Sequence, residues 1–179
     1  DPRVHFFLGM VCVGLDLGGE AYTALAEAVR LDPDNPEANY AFGSVAVHRK
    51  DPSEAIPFFR RYAELKPDDY RGPYAVGVAL FLAKSYEAAR TQLLPFAERK
   101  ETAAAASYLL ARIARAQTED EEALRFARQA VEADPRSADG YSELGLLYQR
   151  LGQVEGAEEA LKRSLEIDPR NVNAINGLG

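Results

Sequence analysis

The residues able to do chemistry are few and scattered. His5 and His48 are the only histidines, and neither has a second ligand at the spacing a metal site needs. Cys12 is the single cysteine, so no internal disulfide can form; set among Leu8, Val11 and Leu15, with no cation nearby to activate it, it reads as a small buried hydrophobe. Gly140-x-Ser142 opens like the elbow that presents a hydrolase serine, but Leu144 stands where the second glycine belongs. Gly18-Gly19 lacks the Gly-Lys-Ser/Thr ending of a phosphate loop. The acidic run Glu119-Asp120-Glu121-Glu122 falls at a helix start, where the backbone dipole favours acids. These patterns point to no catalysis, no cofactor and no metal, and the chain reads as a non-enzyme.

What does recur is a set of side chains suited to contact. Phe6, Tyr40, Tyr74 and Tyr108 are spaced by 34 residues, and the series ends at Ser142. One turn further along lie Met10, Ser44, Val78, Arg112 and Leu146, and beyond them Val13, Val47, Phe81, Arg115 and Gln149. Tyrosine couples an apolar ring to a polar tip and is enriched where one side is wet, which favours a binding surface for this ladder. The alternative is packing between neighbouring helices, the commoner use of an aromatic stripe. Arg112 and Arg115 share a helix face and could clamp a carboxylate or phosphate. Their competing reading, which we favour, is a solvated pair answering Glu119, Asp120 or Glu143.

The elements that must hold these residues follow the same period. Pro33, Pro67, Pro135 and Pro169 share one register, with Glu101 where a proline is missing. Gly9, Gly43, Gly77, Ala111 and Gly145 form a second series, and Ala21, Ala55, Ala89, Ala123 and Ala157 a third. A period of this length signals a helical array. Residues 138–171 are the clearest copy: Tyr141, Leu144, Tyr148 and Leu151 recur at helical spacing, then Ala157, Leu161, Ser164 and Leu165 do the same. Small residues at Gly145 and Ala157 let two helices cross closely. One pair of helices cannot cover both apolar stripes, so neighbouring units must stack.

At these residues the chain resembles the tetratricopeptide repeat family, whose 34-residue unit carries an aromatic-x-x-Leu-Gly-x-x-Tyr run, then Ala-x-x-x-Phe, then Pro. Elsewhere the match is thinner: Cys12, Ala46, Leu80 and Ala114 stand in the register of Tyr148, and only Phe59 supplies the aromatic after the alanine. The resemblance implies an all-α, right-handed superhelical solenoid of helix–turn–helix repeats, with five full units (2–35, 36–69, 70–103, 104–137, 138–171) and the start of a sixth (172–179). It further implies that first helices line a concave groove holding a partner's extended or helical segment. The candidate partner-binding residues are therefore Phe6, Met10, Tyr40, Tyr74, Val78, Phe81, Tyr108, Arg112 and Arg115. Family members that serve the large chaperones hold a C-terminal carboxylate with a Lys and Asn clamp. Phe6, Met10, Ala41, Arg71 and Ala75 stand in those places here, which argues against that mode.

Local signals refine the units. The first turns at Asp16-Leu17-Gly18-Gly19, made flexible by its glycines, and its second helix runs to Leu31. In the second, Asp51 caps a helix with Pro52 at its first position and Glu54 completing a capping box, and Pro57 removes one backbone bond and bends it. The third is the odd one, with Pro73, a late Pro95 and no closing proline, so distortion and a bend or hinge are expected there. Thr102 is expected to cap a helix over Ala103–Ala116, and Thr118-x-x-Glu121 to form a capping box. Leu178-Gly179 echoes Leu144-Gly145, so further chain is expected beyond the ends.

Hydrophobic content of 47% with 27% charged residues suits a soluble globular chain, and no run of about 18 apolar residues could span a bilayer. A net charge of −7 disfavours a nucleic-acid partner, which requires clustered Lys and Arg. The resulting expectation is a non-catalytic scaffold for an apolar or amphipathic protein segment. Its alternatives are the interaction arm of a larger enzyme or regulator, or a self-assembling protein joined through uncapped ends. The abundance of Ala, Arg and Gly suggests a bacterial source. Cytoplasmic placement is favoured, with the periplasm open.

Overall fold

The computed structural model describes all 179 residues, Asp1–Gly179. The chain is helical throughout: α1 (Pro2–Gly14), α2 (Gly18–Leu31), α3 (Pro36–His48), α4 (Pro52–Leu65), α5 (Arg71–Leu82), α6 (Tyr86–Leu93), α7 (Ala103–Ala116), α8 (Asp120–Ala133), α9 (Ala138–Arg150), α10 (Val154–Ile167) and α11 (Val172–Leu178), with a 3-10 turn at Leu94–Ala97. Contacts divide it into two compact units, Asp1–Gln92 and Leu93–Gly179. Within each, consecutive helices pair as hairpins (α1 with α2, α3 with α4, α7 with α8, α9 with α10), and each second helix also packs on the first helix that follows.

First helices start on caps that keep the period. Asp1 accepts from the Arg3 amide, Asn35 from Ala38, Ser137 from Gly140 and Asn171 from Ala174; before α5, whose N-cap is Tyr70, Asp69 in the same register accepts from the Arg71 amide, and α7 has no side-chain cap. Asp51 likewise caps α4 by accepting from Glu54 N.

First helices end on a repeated device that sequence reasoning missed. Asp16, Lys50, Lys84, Thr118 and Gly152 all have positive φ, between 58° and 72°. The following amide bonds back five residues: Leu17 to Cys12 O, Asp51 to Ala46 O, Ser85 to Leu80 O, Glu119 to Ala114 O and Gln153 to Tyr148 O. This is the Schellman closure of a helix C-terminus, and the second helix starts at once. Three expectations are corrected by it. Gly18 and Gly19 lie inside the first turn of α2, and the turn itself is made by Asp16. Thr118 occupies the left-handed position, so it cannot cap, and α8 has Glu119 at its N-cap without a side-chain bond. Glu54 does not reach back to Asp51 N, which bonds Ala46 O; its carboxylate instead accepts from the Tyr22 hydroxyl at 2.6 Å.

The hairpins cross at the small-residue series. An added Cβ at Gly9 would sit 2.5 Å from Leu25 Cγ, at Gly43 2.8 Å from Phe59 Cε1, and at Gly145 2.6 Å from Leu161 Cγ. The bulky partner lies sixteen residues on in each case. In the fourth repeat the crossing residue is Ala111 and the residue sixteen on shrinks to Ala127, both fully buried, so added volume on one helix is offset on the other. All five alanines of the third series are buried. Around these crossings the first unit gathers Cys12, Leu25, Val29, Phe42 and Val45 into one core cluster.

The third repeat departs from the others where expected. α6 is only eight residues, and Pro95 sits in the 3-10 turn that follows. Thr102 precedes α7 but does not cap it with its side chain; the buried hydroxyl donates to Phe96 O at 2.8 Å, tying the irregular stretch together. α4 continues through Pro57 to Leu65.

Two outcomes follow. Gly145→Ala costs about 1–3 kcal/mol by overpacking against Leu161, and combining it with Leu161→Ala costs less than the sum of the two single changes, as Ala111 with Ala127 anticipates; chemical denaturation of the four proteins measures the coupling. Thr118→Gly raises stability by about 1 kcal/mol, because a β-branched residue leaves the left-handed region; a thermal melt reads the gain.

Candidate binding surface

In the first unit, α1 and α3 lie side by side and leave an open cavity of about 360 Å³ between their side chains. Phe6, Met10 and Val13 come from α1, Tyr40, Ala41, Ser44 and His48 from α3, and Tyr62 with Arg71 closes one edge. Three of the expected contact residues, Phe6, Met10 and Tyr40, thus meet in one apolar pocket. Met10 is exposed, while Phe6 is half-buried and packs on the core cluster. Tyr40 is half-buried: its ring packs at 5.4 Å from Phe59 and 5.0 Å from Tyr62, and it also lines the cavity. The Tyr40 ring thus packs between helices and also faces the cavity, and this geometry does not choose between the packing and binding readings of the ladder.

The edge is built from charge-assisted bonds. Tyr62 Oη donates to Asp69 Oδ2 at 2.6 Å, and Arg71 Nη2 donates to both Tyr62 Oη (2.7 Å) and Asp69 Oδ2 (2.6 Å). The Arg71 guanidinium also lies 5.8 Å from the centroids of Tyr40 and of Tyr62. Burial, and then the bond to the Asp69 carboxylate, push the Tyr62 phenol up to about 12. The Arg71 side chain, and next the Tyr62 hydroxyl, hold Asp69 well below the usual carboxylate range. This network was not read from the sequence. Its signal was there: Asp69 stands in the cap register of Asp1 and Asn35, with a base two residues on, as in Asp1-Pro2-Arg3.

The other expected residues lie apart from that pocket. On α5, Tyr74 and Val78 are half-buried, and Phe81 is buried with its ring 6.2 Å from Tyr86. Burial raises the Tyr74 phenol. In the second unit Tyr108 is half-buried, and burial raises its phenol too. Arg112 lies over the Tyr108 ring at 5.5 Å and donates to its hydroxyl at 3.4 Å. Arg115 is engaged by buried Glu143, Nε to Oε1 at 2.6 Å and Nη2 to Oε2 at 3.2 Å, so it joins α7 to α9. Ser142, the end of the ladder, is buried and donates to Asp139 O.

No three His, Cys, Asp or Glu side chains converge as a metal-holding group. No helix is long and apolar enough to cross a membrane. The geometry offers a shaped apolar cavity with fixed charges at its edge.

Repeated hairpins with small residues at each crossing, each second helix covering the next first helix, define a helical-repeat protein. Residues 19–70 and 138–171 match the family described as Tetratricopeptide repeat, so those two stretches are tetratricopeptide repeats. Cellulose synthase 2 operon protein C of Komagataeibacter xylinus is 28% identical over 168 residues, covering 84% of this chain and 13% of that protein. Among solved structures, MamA 41-end from Desulfovibrio magneticus RS-1 has a TM-score of 0.81 at 22% identity, covering 96% of this chain and 97% of that one. YrrB, described as a TPR protein with an unusual peptide-binding site, has a TM-score of 0.72 at 21% identity, covering 99% and 92%. At these identities the likeness to the solved structures is one of fold. The chain spans between 5% and 24% of the length of the curated relatives it matches.

The pocket edge yields a pH signature. Tyr62→Phe is expected to cost about 1 kcal/mol at neutral pH, through the lost hydroxyl bonds. The phenol ionises at about 10 when unfolded and about 12 in the fold, so its contribution is intact below pH 10 and is lost as pH rises toward 12. Urea midpoints of parent and variant should therefore converge over that window.

Proposed function

We propose that this chain is a protein-binding scaffold that holds an apolar or amphipathic partner segment against its first helices. The observation that carries the reading is the open pocket of about 360 Å³ bounded by Phe6, Met10 and Tyr40, whose edge is fixed by Asp69 and Arg71. A bulky apolar side chain of the partner fills it, with burial of one such group worth roughly 1.5–3 kcal/mol before ordering costs. Tyr74 and Val78 in the first unit, and Tyr108 with Arg112 in the second, supply further contacts in their own units. Phe81 and Arg115 hold those contacts in place, one from the core and the other through Glu143. The fold itself supports interaction rather than chemistry, and YrrB, alike in fold, is described as having a peptide-binding site.

A second reading is favoured by coverage. The curated matches include a glycosyltransferase and a cellulose synthase operon protein, of which this chain matches 5% and 13%. Repeats of this kind are thus found as parts of much longer proteins, and the scaffold serves as the interaction arm of a larger enzyme or regulator.

Selection of binders from a displayed peptide library, followed by titration of the enriched sequence, tests the pocket. Enrichment of bulky apolar anchors is expected, with Met10→Glu weakening binding by about tenfold or more while the protein melts like the parent, since Met10 is exposed. Tyr40→Ser should weaken it further. Equal affinity of parent and Met10→Glu would remove the pocket from the reading.

A further inference from the structure

The α9/α10 hairpin lacks side chains that two other second helices carry, and an opening stands in their place. Glu54 and Phe58 of α4, and Glu122 and Phe126 of α8, occupy the registers that in α10 fall to Gly156 and Ala160. Phe58 packs on the first-unit core with its ring 4.5 Å from that of Phe42, and Phe126 is buried. The ring missing at Ala160 is offset in part from α9. Tyr141 and Tyr148 stand where the second repeat has Asn39 and Ala46 and the fourth has Ser107 and Ala114. The exchange is incomplete. Tyr148 leans on Gly156, where an added Cβ would sit 3.2 Å from its ring, and a groove of about 570 Å³ remains, floored by Tyr141, Leu144, Tyr148 and Ala160.

This groove is open with its neighbouring helices in place. From the repeat before, Arg128 of α8 donates to the Tyr148 hydroxyl at 3.3 Å, and from the repeat after, α11 packs on both α9 and α10. It is therefore a gap within the stacked helices, produced by residue size at two positions of α10. The rim is charged. Arg163 bonds Glu166 at 2.7 Å, and Lys162 bonds Glu158. Glu159, exposed on the same rim, has no ion pair. Its carboxylate is the rim charge left unanswered, so a base on an occupant is attracted there and an acid repelled.

We infer that this groove is a second docking surface, which receives one aromatic side chain, phenylalanine or tyrosine, from a segment of another protein that carries a Lys or Arg beside it facing Glu159. The ring takes the place that Phe58 and Phe126 fill in their own repeats, in offset or edge contact with the two tyrosines. Residue size sets the anchor, and the unpaired acid sets the charge next to it. The groove lies in the second unit, apart from the Phe6–Met10–Tyr40 pocket of the first.

The probe is a displayed library of short peptides with one fixed phenylalanine and random flanks, selected on the full chain carrying Met10→Glu, so that the first-unit pocket is silent and failure there and failure here are separable. Lys or Arg beside the phenylalanine is expected to be enriched, and with Glu159→Lys added the enrichment should turn to Asp or Glu. Ala160→Phe restores the ring found in the second and fourth repeats and should weaken an enriched peptide by about tenfold or more. If that variant melts below the parent, the Glu159 arm decides, since that side chain is exposed and its exchange leaves the fold intact. No enrichment, flanks indifferent to Glu159→Lys, or undiminished binding by an Ala160→Phe chain that melts like the parent would each overturn the inference. So would self-association in sedimentation that Ala160→Phe abolishes, which assigns the groove to a second copy.

Discussion

The close crossing of the two helices in each hairpin is the constraint on which the rest depends. Gly9 against Leu25, Gly43 against Phe59 and Gly145 against Leu161 leave no room for a Cβ, and the pair Ala111 with Ala127 shows what the crossing demands when its small residue grows. Close approach brings each second helix down onto its first helix. The face left over on that second helix then meets the following first helix, which is how Leu25, Ala28 and Val29 come to lie with Ala38, Phe42 and Val45. Each crossing also depends on how the first helix ends. The left-handed residue, non-glycine in four turns of five, reverses the chain in the shortest space and closes the C-terminus with a backbone bond.

Polar groups between hairpins do a different job from the apolar crossings. Arg115 with Glu143 and Tyr62 with Asp69 are half-buried bonds, the second bridged by exposed Arg71, and they fix register between neighbouring repeats. Breaking one partner of such a pair strands the other, so they specify arrangement more than they add stability. In the first unit the same bonds shape the rim of the apolar pocket. Rigid edges around an apolar floor would lower the ordering cost for a segment seated there, as the proposed function requires.

Much of the fold and part of the candidate site's geometry were legible in the sequence. The 34-residue period placed the helices and the small crossings, because these follow from spacing along one chain, whereas the first-helix caps Asp1, Asn35, Ser137 and Asn171 share that register but were not read from it. Phe6, Met10 and Tyr40 were found by the same counting and do share a pocket. Glu54, Thr102 and Thr118 were misassigned for one reason: each has a plausible local partner as a cap. Packing gave Glu54 the Tyr22 hydroxyl and Thr102 the Phe96 carbonyl, and the turn placed Thr118 at positive φ. Arg115 was offered three acids and took Glu143, the one buried beside it on α9.

By itself, then, the sequence determined the helical-repeat class, the positions of the hairpins and the absence of a recognisable catalytic motif, since periodicity, helix caps and residue size act locally or at fixed spacing. Only the tertiary structure decided which partner each polar side chain chose and that Tyr40 packs with one part of its ring while lining a cavity. Those outcomes depend on distances between residues some 30 positions apart in the chain, such as Tyr22 with Glu54 and Arg115 with Glu143, where several partners compete and packing selects one.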